Sequence, residues 1–220
     1  LSSPADVLIL GAGMDPLGLE LHHAFPRILS KIYEIDQSGM RQKKKLYEKT
    51  GAGWKKKIRL VESGVSAEAM RKILPESVQV SETPLLVIAE GLTYYLAGKT
   101  LRDLFSLFPA GRKNVTWFLE YLVPYKKIRP ARRFIPKRIF HFIRRFAGLP
   151  SISRYTREDL ARMLRPAGYL VSRHKTLHDM ERERTRTARY FKKASDGWVE
   201  CLVARRVSED EVKRRESFRL

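Results

Sequence analysis

Cysteine is nearly absent from this 220-residue chain. Its single example, Cys201, sits in the apolar run GWVECLVAR, so neither an intrachain disulfide nor a multi-cysteine metal site can form, and no disulfide partner is expected. Cys201 itself reads as a buried structural thiol, and the shortage of cysteine suits a reducing compartment. Long apolar runs are also missing. No stretch approaches the ~18 to 20 residues needed to span a bilayer, and the N-terminus lacks the basic-then-apolar order of a signal peptide. A cytoplasmic chain is expected, touching a membrane only from its surface. The sequence starts at Leu1 rather than Met and enters a strand almost at once, which reads as an N-terminal segment left off. Internal repeats and low-complexity tracts are lacking as well.

Acidic residues are scarce: 24 Asp and Glu stand against 44 Lys and Arg, a formal charge of +20, far beyond what solubility requires. Such a balance implies an anionic partner. Nucleic acid, an acidic membrane surface and a small-molecule or lipid-like anionic acceptor all fit, and net charge does not separate them. Apolar residues make up 43% of the chain, enough for a packed globule, and the length suits one domain over residues 1–220.

Short branched apolar runs alternate with amphipathic stretches: ADVLIL, KIYEID, KIRLVE, PLLVIAE and NVTWFLEYL, with helices expected near Pro16–Ala24, Gln37–Lys49, Ala67–Leu74 and Thr100–Phe108. This alternation indicates βαβ units and a mostly parallel sheet with helices on both faces. Thr156, followed by Glu158 and Asp159, opens a further helix through Leu164, which Pro166-Ala167-Gly168 ends. GYLVSRHKT and GWVECLVARR read as two last strands around a basic helix near His178–Lys193, so seven strands are expected.

The first strand runs directly into GAGMDPLGLEL. Gly11, Ala12 and Gly13 therefore fall in the first strand-to-helix turn, where glycine permits a tight turn and close ligand approach, and the helix N-terminus would offer free N–H groups. Asp36 ends the second strand, where a carboxylate can accept both ribose hydroxyls of an adenosine-containing cofactor. The third glycine is Gly18, a spacing unlike G-x-G-x-x-G, and Asp15 lies inside the loop. A carboxylate there opposes a pyrophosphate and favours a cationic sulfonium, which argues for S-adenosyl-L-methionine over NAD. A second GAG at Gly51–Gly53 follows a basic helix and reads as a terminator and loop. The fourth strand leads into AEGLTYYL, placing Glu90 and Gly91 at the ligand-binding edge of an open α/β sheet.

With these residues in place, LILGAGMDPLGLEL, KIYEIDQ and LLVIAEGLTYYL resemble the leucine carboxyl methyltransferase family, including bacterial relatives of the polyketide O-methylation type; the likeness returns in YTREDLARMLRPAGY. The resemblance implies a Rossmann-like class I methyltransferase fold with a seven-strand sheet, and transfer of a methyl group from S-adenosyl-L-methionine to a carboxylate or hydroxyl. It further implies that Gly11 and Gly13 contact the methionine part of the cofactor, that Asp36 holds the ribose and that Glu90 lies at the cofactor site. The chain departs from the family in VESGVSAEAM, where an acidic residue near adenine is usual and Val65 and Ser66 stand as neutral candidates. Pro16 and Leu17 replace the usual pair after the loop aspartate, and the family's upstream Arg has no counterpart before the first strand.

Between Tyr121 and Arg157 there is no acidic residue, while YKKIRPARRFIPKRIFHFIRRFAG interleaves nine cations with Phe and Ile. Residues 122–155 therefore read as a basic, lid-like insertion near the acceptor side. A lid over an acidic acceptor, a membrane-surface helix, a nucleic-acid contact and a solvated helix with a core-facing stripe remain open. Pro130 and Pro136 are expected to interrupt any long helix there. Tyr94, Tyr95, Tyr125, Arg132 and Arg133 are the acceptor candidates. His22, His23, His141, His174 and His178 are the available bases, and none is singled out as catalytic. The alternative to an enzyme is a non-catalytic or RNA-directed basic module on the same fold.

Overall fold

The computed structural model describes residues 4–51, 53–146, 148 and 151–207. Seven strands form one sheet: β1 Ala5–Leu10, β2 Leu29–Asp36, β3 Ile58–Glu62, β4 Leu85–Ala89, β5 Val115–Leu122, β6 Tyr169–Thr176 and β7 Val199–Arg206, in the order β3-β2-β1-β4-β5-β7-β6. All neighbours pair in parallel except β7, which lies antiparallel between β5 and β6. The expected seven-strand, mostly parallel sheet is therefore present.

β1 is buried along its whole length, as a central parallel strand covered on both faces must be. Its alternate side chains feed two cores. Leu8 and Leu10 join one, built with Met70, Leu104, Phe105, Trp117 and Leu160. Val7 and Ile9 join the other, built with Leu19, Ile32, Tyr47 and Trp54. Helices α1 Leu17–Ala24 and α2 Met40–Glu48 cover the second face; α3 Ala67–Ile73, α4 Glu76–Gln79, α5 Gly98–Phe105 and α7 Arg157–Leu164 cover the first. The remaining α-helices among the described residues are α6 Phe134–Phe146 and α8 Leu177–Thr185. The order in which strands are added reverses at the parallel β1–β4 pair, since β2 and β3 extend the sheet on one side and β5 on the other; ligands bind at the carboxyl ends of strands at such a point.

Several boundaries differ from the sequence expectation, each for a local reason. Pro16 caps α1 rather than entering it, and α2 starts at Met40 after Gly39 rather than at Gln37. α5 spans Gly98–Phe105 instead of Thr100–Phe108. α8 stops at Thr185, far short of Lys193, because Arg186 turns left-handed (φ +61°) and Glu181 draws the chain back. The Glu181 carboxylate accepts the main-chain N–H groups of Arg189, Tyr190 and Phe191 at 2.8–3.1 Å.

Pro136 does not interrupt the basic segment. It occupies the first turn of α6, where no intrahelical N–H is needed, and a thirteen-residue helix continues past it. The second GAG does follow α2 as a turn, with Gly53 opening a short 3-10 turn, while Ala52 lies outside the described residues. Thr156 caps α7 reciprocally with Asp159, as its sequence signals. No helix among the described residues is long and apolar enough to cross a membrane.

Candidate functional site: an acidic cavity at the glycine loop

A cavity of about 320 Å³ opens where the carboxyl ends of β1 and β4 diverge. Gly11, Ala12, Gly13 and Asp15 wall one side, and Glu90, Gly91, Tyr94 and Glu120 the other. Six of the nine residues suggested for a cofactor thus meet at one place, in the company of Tyr94.

The glycines have separate causes. Gly11 is left-handed (φ +69°), and a Cβ there would approach Leu92 Cδ1 to 3.0 Å. Gly18 is needed for a different reason: a Cβ would lie 2.1 Å from Glu34 Oε1. The Glu34 carboxylate accepts the Gly18 N–H at 2.9 Å and the Tyr47 hydroxyl at 3.0 Å, and it pairs with Lys43 Nζ at 2.9 Å. Lys43 also donates to the Ala12 carbonyl at 3.1 Å. A buried ion pair beneath the loop therefore fixes both the turn and the start of α1.

Most of the N–H groups expected to be free at this loop are engaged. Gly11 and Ala12 donate to the Ile35 carbonyl at 2.9 and 3.1 Å, because the chain leaving β1 keeps pairing with β2. Gly13 donates to Asp36 Oδ2 at 2.8 Å, Leu17 to Asp15 Oδ1 at 2.9 Å, and Gly18 to Glu34. A phosphate would find these donors already engaged and carboxylates beside them. A ligand bearing positive charge meets the opposite situation.

The electrostatics of the cavity agree with this. Burial pushes the Glu120 carboxyl above its ordinary range and the nearby Glu90 adds to the effect, against hydrogen bonds from Gly91 and Tyr94. Glu90 reaches solvent, yet desolvation by the walls, then the charge of Asp15, raises it as well. Three carboxylates thus converge inside a chain of formal charge +20. Tyr94 donates weakly to Glu120 Oε1 at 3.4 Å, and burial makes its phenol a weaker acid. Glu120 was missed by sequence reasoning; the signal was a lone carboxylate in the otherwise apolar run of β5.

The other candidates lie outside the cavity wall. Asp36 stands behind it on the Gly13 amide. Ser66 caps α3 through Ala69 N–H at 3.1 Å, and Val65 packs at the edge of the core. The acidic side chain at that end of β3 is Glu62, which accepts from Met40 N–H at 3.2 Å. Tyr95 rests against Tyr94 at 4.8 Å between ring centroids. Arg132 donates to the Tyr190 carbonyl at 3.0 Å and Arg133 to the Ile128 carbonyl at 2.7 Å, so both brace the main chain. Tyr125 lines a separate pocket with His141. His174 joins Tyr121 and Glu200 at the far strands, and His178 meets the Phe191 carbonyl at 2.6 Å.

Comparison with known proteins follows the same lines. The model of the family "leucine carboxyl methyltransferase" matches residues 4–108. No curated protein matches the chain. In fold the chain is similar to a putative methyltransferase from Thermobifida fusca, at 13% identity and a TM-score of 0.61, over 93% of this chain and 74% of that one. It is similar to an S-adenosylmethionine-dependent methyltransferase from Mesorhizobium loti, at 13% identity and a TM-score of 0.58, over 93% and 92%. It is also similar to the mitomycin 7-O-methyltransferase MmcR, at 12% identity and a TM-score of 0.59, over 93% of this chain but only 49% of that one, so the chain spans about half its length. At such identities these likenesses show the fold. The chain therefore has the Rossmann-like fold of the methyltransferases that use S-adenosyl-L-methionine, and its residues 4–108 are similar to the leucine carboxyl methyltransferase family.

Proposed function

We propose that this chain is an S-adenosyl-L-methionine-dependent O-methyltransferase acting on a carboxylate or hydroxyl of a small or lipid-like anionic acceptor. The observation that carries the reading is the carboxylate-lined cavity at a glycine turn where the Gly13, Leu17 and Gly18 donors are already engaged by protein carboxylates. That donor set suits a sulfonium and an ammonium and opposes a pyrophosphate. Gly11, Ala12 and Gly13 would admit the methionine part, with Asp15, Glu90 and Glu120 facing its charge. Asp36 would accept from the ribose with the oxygen that Gly13 does not hold, and Val65 and Ser66 would lie on the adenine side.

When bound, the cofactor supplies a methyl group on a positively charged sulfur. The protein's part is alignment and exclusion of water. Tyr94, between the cavity and the segment that follows β5, would close the acceptor side and orient the acceptor oxygen. A carboxylate acceptor is already ionised near neutral pH and requires no base; for a hydroxyl acceptor, Glu120 is the carboxylate best placed to take a proton. Residues 122–155 would serve as a lid, with α6 as its rigid part.

Calorimetric titration with S-adenosylmethionine tests the reading. Micromolar binding that is lost or strongly weakened in Asp36→Ala supports it, and absence of binding at millimolar ligand overturns it. A second reading, a non-catalytic basic module for RNA or acidic membrane, rests on the outward cations of α6; tight, salt-sensitive binding without methyl transfer favours it.

A further inference from the structure

A second pocket, of about 390 Å³, lies between α6 and residues 151–154. Every charged side chain that lines it is a cation: Lys137, Arg144 and Arg154. Lys137, His141 and Arg144 follow one face of α6 at intervals of four and three residues, so the helix points a column of positive charge into the space. Tyr125, Phe140 and Ile152 supply the apolar wall.

Arg154 is the informative member. Its guanidinium stacks 4.0 Å above the Tyr125 ring and donates to the Tyr125 hydroxyl at 2.5 Å and to the Ile152 carbonyl at 3.2 Å. It is half-buried, and no carboxylate pairs with it among the described residues. Desolvation lowers its affinity for its proton, the mark of a cation that gains from an anion. Lys137 adds its charge 5.5 Å from the same ring.

This basic pocket adjoins the acidic cavity through one pair of rings. Tyr94 lines the cavity, Phe140 lines the pocket, and the two meet edge-on at 5.7 Å. Ser153 N–H fixes Tyr94 from the pocket side by donating to its carbonyl at 2.8 Å. The two rings stand between the pocket and the cavity.

From this arrangement we infer that the basic pocket is a recognition subsite for an amphiphilic organic acid, whose anionic head sits among Arg154, Lys137 and Arg144 while a different oxygen of the same molecule is presented past Tyr94 to the cavity. The acceptor therefore carries two polar ends, and the one that binds here is not the one that is methylated. The inference rests on the methyltransferase reading for its second end and on the pocket alone for its first.

The test uses the whole chain and the fluorescent aryl sulfonate 1-anilinonaphthalene-8-sulfonate, with S-adenosylhomocysteine titrated in parallel. Saturable micromolar binding of the sulfonate is expected. Arg154→Gln should weaken it at least tenfold, and Lys137→Gln with Arg144→Gln, which touch exposed side chains and leave the fold alone, should weaken it about as much. None of these variants should change S-adenosylhomocysteine affinity. Phe142→Ser and Phe146→Ser, on the outward face of α6, should leave the sulfonate bound. Binding that ignores the three cations, binding lost in the two Phe variants, or no saturable binding overturns the subsite. Failure of S-adenosylhomocysteine to bind while the sulfonate behaves as expected removes the methyltransferase reading and leaves the anion site standing.

Discussion

Lys43 holds its ammonium 2.9 Å from the Glu34 carboxylate and 3.1 Å from the Ala12 carbonyl, with both side chains sealed from water. A pair so placed is fragile to single replacement, since the surviving charge is left buried without its partner. Lys43→Met is expected to destabilise the chain by about 3 to 5 kcal/mol and to loosen the glycine turn. Urea unfolding with cofactor titration checks both; loss of less than about 1 kcal/mol would show that water reaches Glu34.

Gly18→Ala brings a methyl into the Glu34 carboxylate, which has no slack because three donors hold it. The variant should lose about 1 to 3 kcal/mol, the usual cost of overpacking. Gly13→Ala meets no atom within 4 Å, so any loss there comes from its left-handed backbone alone. Thermal unfolding of the two variants side by side separates clash from backbone strain.

Asp36→Ala removes the acceptor of the Gly13 N–H and, on the proposed reading, the carboxylate that would hold the ribose. Cofactor affinity should fall by about 1.5 to 3 kcal/mol, the scale of a charge-assisted hydrogen bond. Calorimetry with S-adenosylhomocysteine measures this, and unchanged affinity removes Asp36 from the site.

Glu120→Gln should raise the melting temperature while weakening binding of the cationic cofactor. The folded state raises the proton affinity of Glu120, so it binds that proton more tightly than the unfolded chain, and the ionised form above the folded pKa costs stability. For the same reason S-adenosylmethionine binding should weaken on acidification, beginning above the ordinary carboxylate range as Glu90 and Glu120 lose charge. Titration against pH in the wild type and the variant reads both effects; a flat profile removes these carboxylates from cofactor binding.

Arg186→Gly is expected to stabilise by up to about 1 kcal/mol, because a left-handed backbone is strained for any residue with a Cβ. Differential scanning calorimetry checks the sign, and a lower melting temperature would show that the arginine side chain has a role of its own.

How much of this was legible in the sequence depends on whether the determining contacts are local. The glycine turn, Asp36 and Glu90 could be placed because each ends a strand whose apolar run names it. Glu120 could not, since its facing depends on how β5 registers against β4 and on the turn that carries Tyr94. Nothing in RQKKKLYEK separates Lys43, which is buried, from Lys44 and Lys45, which are exposed; only the packing of α2 beneath the loop does so. Pro136 was misread because its effect depends on where the helix starts. The pocket at Arg154 was invisible for a related reason: its walls come from three segments that only the fold brings together.

Among the described residues β6 has a single neighbour, β7, which follows it in the chain. On a translating ribosome β6 therefore emerges with nothing to pair against, whereas β1 to β5, with the glycine turn among them, can already have joined as each is completed. The antiparallel strand arrives between two waiting edges and closes both in one step. On this order the edges of β5 and β6, rather than the glycine turn, are the last parts of the sheet to be paired.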